Sequence, residues 1–467
     1  MRIVIDLQPC QDDSRFRGLG RYSKSLAKEI ARQSIPRGHE VWLLLNDNFP
    51  GTIDPIKQDF DGLIPAAQIV TFPGMGNVAE FVSGNEWRLR AAEHLRELFL
   101  AHMQPDVVHV SSLFEGTVDD AAVTIGANGK KIPTSVTLYD LIPLALKDIY
   151  LTEQYIKDYY VRKLASLRRA DLLLAISESS RREAIELLGI EADQIVNIST
   201  SIDDGFWPRP QSAAEAKALL DRYGISRPFI FYVPGGFDPR KNFGTLIDAF
   251  SRLPDDMRSA HQLVIGSSIR PHEKGALKAE ISSFSLRDDE VIVTGYIPDD
   301  DLVCMYSICE LHVFPSLHEG FGLPVLEALA CGAPSIASNS TSLPEVIGRT
   351  DALFDPTSAV DIAEKIERAL SDADFRASLR AHGIAHAKKF SWQRSAETAL
   401  DAFDSHFRPL ERVGPVATSA SELERQVLRE LEKDTALQPA TDKDLALLSD
   451  STIKAAQTLD GIAQSWH

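Results

Sequence analysis

Residues 312–332 read HVFPSLHEGFGLPVLEALACG, and their reading decides how the rest of the chain is parsed. Leu311, Val313 and Phe314 predict a strand, Gly320 and Gly322 a tight turn, and Leu323-Pro324 the start of a helix. A strand feeding a glycine-rich turn and then a helix presents backbone N–H groups at the positive end of that helix. Such an end suits a phosphate or a polyhydroxy ligand. Glu319 falls in the turn, and Glu327 lies about one helical turn further along the axis, so both carboxylates can face one crevice. The same residues also fit a surface loop closed by an N-capping carboxylate, and spacing alone does not separate the two readings.

Outward from this stretch, β-branched apolar runs alternate with amphipathic segments. Strands are predicted at Arg2–Leu7, Val41–Leu45, Ile69–Phe72, Asp106–Ser111, Thr134–Leu138, Asp171–Ser177 and Gln194–Ile198. Helices are predicted at Gly20–Arg32, Trp87–Met103, Glu153–Arg169 and Ser179–Leu188. Turn formers and charges at residues 203–210 mark a boundary, and the alternation then restarts. Its strands are Phe229–Val233, Gln262–Ile265, Glu290–Thr294, Leu311–Phe314 and Pro334–Ala337. This rhythm predicts an α/β chain with two doubly wound, Rossmann-like domains, residues 1–205 and 206–395, facing each other across a cleft. Residues 396–467 form a C-terminal helical tail. Within it a charged amphipathic helix (Ser421–Lys433), a linker (Gln438–Asp444) and a last short helical pattern are expected.

Composition narrows the function. A net charge of −18 over 467 residues argues against a protein that coats nucleic acid. Four cysteines without a CxxC pair fit buried free thiols in a reducing compartment and no zinc site. The start MRIVIDLQPC reads as a strand and not as a signal peptide, and no apolar run approaches the roughly 20 residues that span a bilayer. A cytoplasmic location is expected, with room for peripheral association at the inner face of the membrane.

Three further features fall at strand ends. Arg15–Tyr22 holds Gly18 and Gly20, which permit close backbone approach where a helix begins. It lacks a full dinucleotide fingerprint. The strand Phe229–Val233 ends in PGGFDPRKN, where Gly235 and Gly236 precede the cations Arg240 and Lys241, a pairing suited to a diphosphate. Gly295 and Tyr296 follow the strand Glu290–Thr294, which is expected to neighbour Leu311–Phe314, and a planar base is able to pack there. Each of these also fits an ordinary turn or a solvated charge pair.

Together these residues resemble the retaining glycosyltransferases of family 4, also described as group 1, which have the GT-B architecture. The resemblance is strongest over residues 229–345, where Gly235–Asn242 and Ser316–Gly332 match in order and spacing, and it is weaker over residues 1–205. It implies that Glu319, with Gly320 and the N–H groups of Phe321, Gly322 and neighbouring Leu323, holds the donor sugar, and that Glu327 binds the nucleotide ribose. It implies that Arg240 and Lys241 neutralise the diphosphate, helped by Gly236 and the Gly18–Gly20 loop, while Gly295 and Tyr296 meet the base. No metal and no cofactor beyond the nucleotide-sugar donor are then required, since cations and helix N-termini supply the electrostatics. Many relatives carry a His-Asp pair after the fifth strand; here Asp140 is kept and Tyr139 replaces the histidine. The opening IDLQPCQDDSRFRGLGRYS is more particularly similar to bacterial polysaccharide and O-antigen mannosyltransferases.

The expected activity is retaining transfer of a hexose, mannose from GDP-mannose, onto a growing bacterial polysaccharide or lipid-linked glycan. Glu319, Arg240, Lys241 and Asp140 are the expected catalytic set. Expected partners are the nucleotide-sugar donor and a glycan or lipid-linked oligosaccharide acceptor, and no nucleic acid. Rival readings are a transferase using a UDP-sugar, a nucleotide-sugar epimerase, and a non-catalytic sugar-nucleotide sensor.

Overall fold

Seven short apolar runs build the first sheet of the computed structural model, which describes residues 1–129, 132–412 and 418–464. They are β1 (Arg2–Asp6), β2 (Glu40–Asn46), β3 (Ile69–Phe72), β4 (Val107–Val110), β5 (Thr134–Leu138), β6 (Leu172–Ala175) and β7 (Ile195–Asn197). Their order is β3-β2-β1-β4-β5-β6-β7, and every pairing is parallel. β1 is buried along its whole length, as a central strand covered on both faces must be.

The second sheet holds β8 (Phe229–Tyr232), β9 (Gln262–Ile265), β10 (Val291–Val293), β11 (Leu311–Phe314), β12 (Ser335–Ser338) and β13 (Leu353–Phe354). It is ordered β10-β9-β8-β11-β12-β13 and is again wholly parallel. Both sheets reverse their strand order beside their first strand: between β1 and β4 in one, and between β8 and β11 in the other. At such switch points the crossover helices leave on opposite faces, so a crevice opens outside the carboxyl ends of the strands. Strand β13 is two residues long and carries too little pattern to be read from sequence.

The two compact units are Met1–Ile176 with Arg181–Ile198 and Trp392–His467, and Ser177–Ser180 with Ser199–Ser391. Where the sequence division set residues 396–467 apart, the structure places the chain from Trp392 onward with the first sheet. The helix Trp392–His406 lies against Gly18–Ser34, and Trp392 meets the Tyr22 ring edge-on at 5.1 Å. The helix Ala420–Leu431 buries Leu423, Val427 and Leu431 beside Leu448, Leu459 and Ile462 of Asp442–Gln464. Both helices pack on Glu86–His102. The short terminal pattern expected from sequence is a 23-residue helix, and its first turn takes up the end of the expected linker. Residues 413–417 and 465–467 of the expected tail lie outside the described residues. Among the described residues no helix is long and apolar enough to cross a membrane.

Because Leu423 is fully buried in the core of the first unit, Leu423→Ala is expected to destabilise that unit by about 2–5 kcal/mol. Urea unfolding followed by tryptophan fluorescence measures this; an unchanged midpoint would mean the tail contributes nothing to the core.

Candidate functional site

The loop after β8 is shaped by three residues. Asp238 caps the turn Pro239–Lys241 by accepting from the Arg240 N–H at 3.0 Å. Asn242 closes the turn in the left-handed region, at φ +62°. Its side-chain amide donates to the carbonyls of Pro315 (3.0 Å) and Pro356 (2.7 Å), which fastens the loop to the end of β11. The Leu317 N–H adds a bond to the Arg240 carbonyl at 2.8 Å. Because β8 and β11 are paired neighbours at the switch point, the two loops are held side by side.

The turn after β11 is held from the side of β12. Ser338 and Ser340 donate to the carbonyls of Ser316 and Leu317, each at 2.6 Å. Thr341 accepts from the Glu319 N–H at 3.0 Å, and Ser342 donates to the carbonyls of Glu319 (3.0 Å) and Phe321 (2.7 Å). Gly322, at φ +103°, precedes the helix Leu323–Ala330; a Cβ there would lie 2.6 Å from Leu343 Cδ2, so backbone angle and space both demand glycine.

These loops bring the expected charges together. Arg240 Nη1 lies 2.7 Å from Glu319 Oε2, and Lys241 Nζ lies 2.7 Å from Oε1. Arg240 also donates to the His318 carbonyl at 2.8 Å. Lys241 and Glu319 are buried. Burial is the largest influence on both. It pushes the Lys241 ammonium below its ordinary value against the pull of Glu319. It also pushes the Glu319 carboxyl upward, but the charges of Lys241 and Arg240 outweigh it and hold that group below its ordinary range. The arrangement is a carboxylate clamped between two cations, a form suited to exchanging one anion for another.

The other expected residues are placed as follows. Gly236 lies in the loop after β8, and Gly320 and Phe321 lie in the turn, with Phe321 packed edge-on against Phe390. Glu327, half-buried on Leu323–Ala330, bears on Tyr306, whose phenol is raised by burial first and then by the Glu327 charge. Gly295 and the exposed Tyr296 follow β10, which is the far edge of the sheet; β9 and β8 separate it from β11, so it is no neighbour of that strand. Gly18 and Gly20 open the helix Gly18–Ser34 in the first unit, where a Cβ on Gly20 would meet Arg15 Cα at 2.5 Å. Asp140, after β5, accepts from the Ile142 N–H at 3.1 Å. Tyr139 bonds Ser23 Oγ at 3.0 Å, and burial raises its phenol well above the ordinary value.

His109 is a core residue of β4. It is enclosed by Ser135 Oγ (2.8 Å) and Thr137 Oγ1 (3.1 Å), and burial pushes it down to about 3, so it stays neutral. Sequence reasoning missed Asn242 and the hydroxyl row Ser338, Ser340, Thr341 and Ser342. An asparagine closing a turn was a readable signal for the first, but nothing in SNSTS announces that its hydroxyls hold a turn some twenty residues earlier.

Residues 219–386 match the family described as "Glycosyl transferases group 1", and residues 16–206 match "Glycosyltransferase Family 4". The chain is 37% identical over 404 residues to serotype-specific mannosyltransferase WbdA of Escherichia coli, covering 86% of this chain and 48% of that protein. It is 36% identical over 239 residues to O-antigen chain mannosyltransferase B of Escherichia coli, covering 51% of this chain and 61% of that one. The chain thus spans about half the length of the curated relatives it matches. A crystal structure of Anabaena Alr3699/HepE in complex with UDP and glucose shares the fold, with a TM-score of 0.60 at 18% identity over 87% of this chain and 100% of that one.

Since the folded Glu319 carboxyl titrates below its ordinary 4.5, its contribution to stability is complete above about pH 4.5 and is lost as pH falls through the folded value. Glu319→Gln is expected to destabilise the second unit by about 3 kcal/mol at neutral pH, because it leaves buried Lys241 without its counter-charge. Melting curves from pH 7 to pH 3 check this: the gap between variant and wild type should narrow in acid, and a pH-independent gap would contradict the ion triad.

Proposed function

The chain belongs to the group 1 and family 4 glycosyltransferases, and on that premise we propose that it transfers mannose from GDP-mannose onto a growing bacterial polysaccharide or lipid-linked glycan, with retention of configuration. The observation that carries this reading is the clamp of Glu319 between Arg240 and Lys241 at the switch point of the second sheet. The two Escherichia coli relatives are mannosyltransferases, and that supplies the sugar.

In the proposed reaction the donor diphosphate competes with Glu319 for the two cations. Once Arg240 and Lys241 turn to the phosphates, the Glu319 carboxylate is released to accept hydrogen bonds from donor hydroxyls. Gly320, Phe321, Gly322 and Leu323 bring backbone N–H groups and the helix N-terminus to the same sugar, Glu327 takes the ribose, and Gly295 and Tyr296 meet the base. Gly236 lets the loop close on the phosphates. As the glycosidic bond breaks, charge builds on the leaving phosphate and the two cations stabilise it. The acceptor hydroxyl attacks from the same face and its proton passes to the leaving phosphate oxygen. Glu319 orients the donor and steadies the developing oxocarbenium charge. Gly18, Gly20 and Asp140 serve substrate from the carboxyl edge of the first sheet. Under this scheme the guanidinium, the ammonium and the helix N-terminus carry the electrostatic task, without a metal.

Turnover of GDP-mannose with a mannan-type acceptor is expected to fall about 100- to 1000-fold in Lys241→Ala and in Glu319→Ala, with the circular dichroism of each unchanged. A thermal-shift panel of GDP-, UDP- and ADP-sugars should show the largest stabilisation with GDP-mannose. Near-wild-type rates in both variants would overturn the assignment, and an isomerised donor sugar in the absence of acceptor would favour an epimerase instead.

A further inference from the structure

The turn after β11 is also held from a segment far from it in sequence. Ser177–Ser180 belongs to the second unit, and the hydroxyls at its two ends reach the carbonyl of Gly320, the residue after Glu319. Ser177 Oγ lies 2.6 Å from that oxygen and Ser180 Oγ 3.2 Å. The hydroxyls lie 3.0 Å from each other, so one of their two protons remains for the carbonyl whichever way they are paired. Ser177 Oγ also accepts from the Ser180 N–H at 2.9 Å. Glu345 fastens the segment: its carboxylate accepts from the N–H groups of Glu178 (3.1 Å) and Ser179 (3.4 Å). Both serines are buried, so solvent does not compete for these bonds.

A trans peptide unit is planar, and its C=O points opposite to the N–H of the next residue. Tying a carbonyl therefore aims an N–H the other way. Ser177 and Ser180 tie the carbonyl of Gly320 and so aim the Phe321 N–H. Ser342 Oγ meets the carbonyls of Glu319 (3.0 Å) and Phe321 (2.7 Å), which fixes the peptide units on either side and aims the N–H groups of Gly320 and Gly322. Among the described residues none of these three N–H groups donates to another group of the protein, although all three residues are buried. Buried backbone N–H groups are nearly always paired. A run of three that is not, each with its carbonyl held by a side chain, is a prepared set of donors. The hydroxyls are needed because a peptide unit beside glycine turns over at little cost, and Phe321 has glycine on both sides.

We propose that Ser177 and Ser180 are positioning residues for donor binding: through the Gly320 carbonyl they set the direction in which the Phe321 N–H meets the donor, while Ser342 sets the N–H groups on either side. This assignment rests on the reading of the turn as the part that holds the donor sugar, and it names the side chains that make a glycine-rich turn a fixed ligand. The serines act through the backbone and make no contact with the sugar themselves. The ligand class is a nucleoside diphosphate sugar, whose hexose oxygens accept from the aimed N–H groups. A nucleoside diphosphate without its sugar gains nothing from the Phe321 N–H, and this separates positioning from a general structural role.

Calorimetric titration of the full chain with GDP-mannose and with GDP tests this. Ser177→Ala/Ser180→Ala should bind GDP-mannose about tenfold more weakly than wild type, with its Kd for GDP unchanged within about twofold. Should the double variant fail to fold, Ser177→Ala alone carries the same comparison, with a loss of about threefold. An unchanged Kd for GDP-mannose in a folded variant, or an equal loss for both ligands, would overturn the proposal. A wild type that binds a UDP-sugar and not GDP-mannose would refute the donor's identity alone, and the same comparison between UDP-glucose and UDP then decides on the serines. In protein labelled with ¹⁵N-phenylalanine, the Phe321 amide signal, identified by its loss in Phe321→Leu, should shift when the sugar nucleotide is added to wild type and stay in place in the double variant. A wild-type signal unmoved by GDP-mannose, UDP-glucose and ADP-glucose alike would overturn the proposal, whatever the transfer assay shows.

Discussion

Every strand pairing among the described residues is parallel, and a parallel pair cannot be closed by a hairpin. Each strand must be followed by a crossover that returns the chain to the starting edge, and the helices that do so cover the sheet faces. Function is thereby confined to one edge, the carboxyl ends, and within it to the place where the crossovers diverge. Two constellations of charge lie there. The ion triad joins the ends of β8 and β11, and the carboxyls of Asp12, Glu115 and Asp119 converge between the loops after β1 and β4.

The protein handles buried carboxylates in three ways, and the differences track their roles. Asp6 on β1 is 1% exposed and fully answered: Arg96 Nε donates at 2.8 Å and Gln8 Nε2 reaches both of its oxygens. Such a pair holds the first sheet to the helix Glu86–His102 and has no reason to open. Glu319 is answered by cations that a stronger anion is able to take away, so it suits exchange. Asp12 meets the carboxyl of Glu115, and burial together with that neighbouring charge pushes it up to about 8, so the two carboxyls share a proton at neutral pH. The same residue type therefore reads as scaffold, switch or proton-sharing pair according to what surrounds it.

The alternation of β-branched runs with amphipathic helices made both sheets legible, because pattern and burial agree over nearly every strand. Ile69–Phe72, Thr134–Leu138, Gln262–Ile265 and Leu311–Phe314 fall where their apolar runs place them. The ion triad was legible because its residues sit in two short motifs whose spacing reflects loop geometry. What was not legible depended on long-range contact. The apolar stripe of Ala420–Leu431 is plain in sequence, but nothing there says that it packs on Glu86–His102. Nor does DLVCMYSIC say which strand its helix passes on the way to β11, so β10 was misread as a neighbour of that strand. The acidic cluster draws Asp12 and Glu115 from positions 103 residues apart, and only strand order unites them.

Tyr139 bears on how the proposed transfer disposes of its proton. Its hydroxyl is engaged with Ser23, its ring stands edge-on to Tyr22 at 5.1 Å, and burial holds the phenol above its ordinary value. A phenol so placed remains protonated at neutral pH and offers a hydrogen-bond donor, where an imidazole would offer a base. His109 adds nothing on this score, being neutral and locked between Ser135 and Thr137 within the sheet. Asp140 already caps the following turn through the Ile142 N–H. With histidine gone from the position beside it, the proposed scheme leaves the departing phosphate as the base that accepts the acceptor's proton. In that scheme its basicity rises as charge collects on it, and Arg240 and Lys241 would set how far that rise goes.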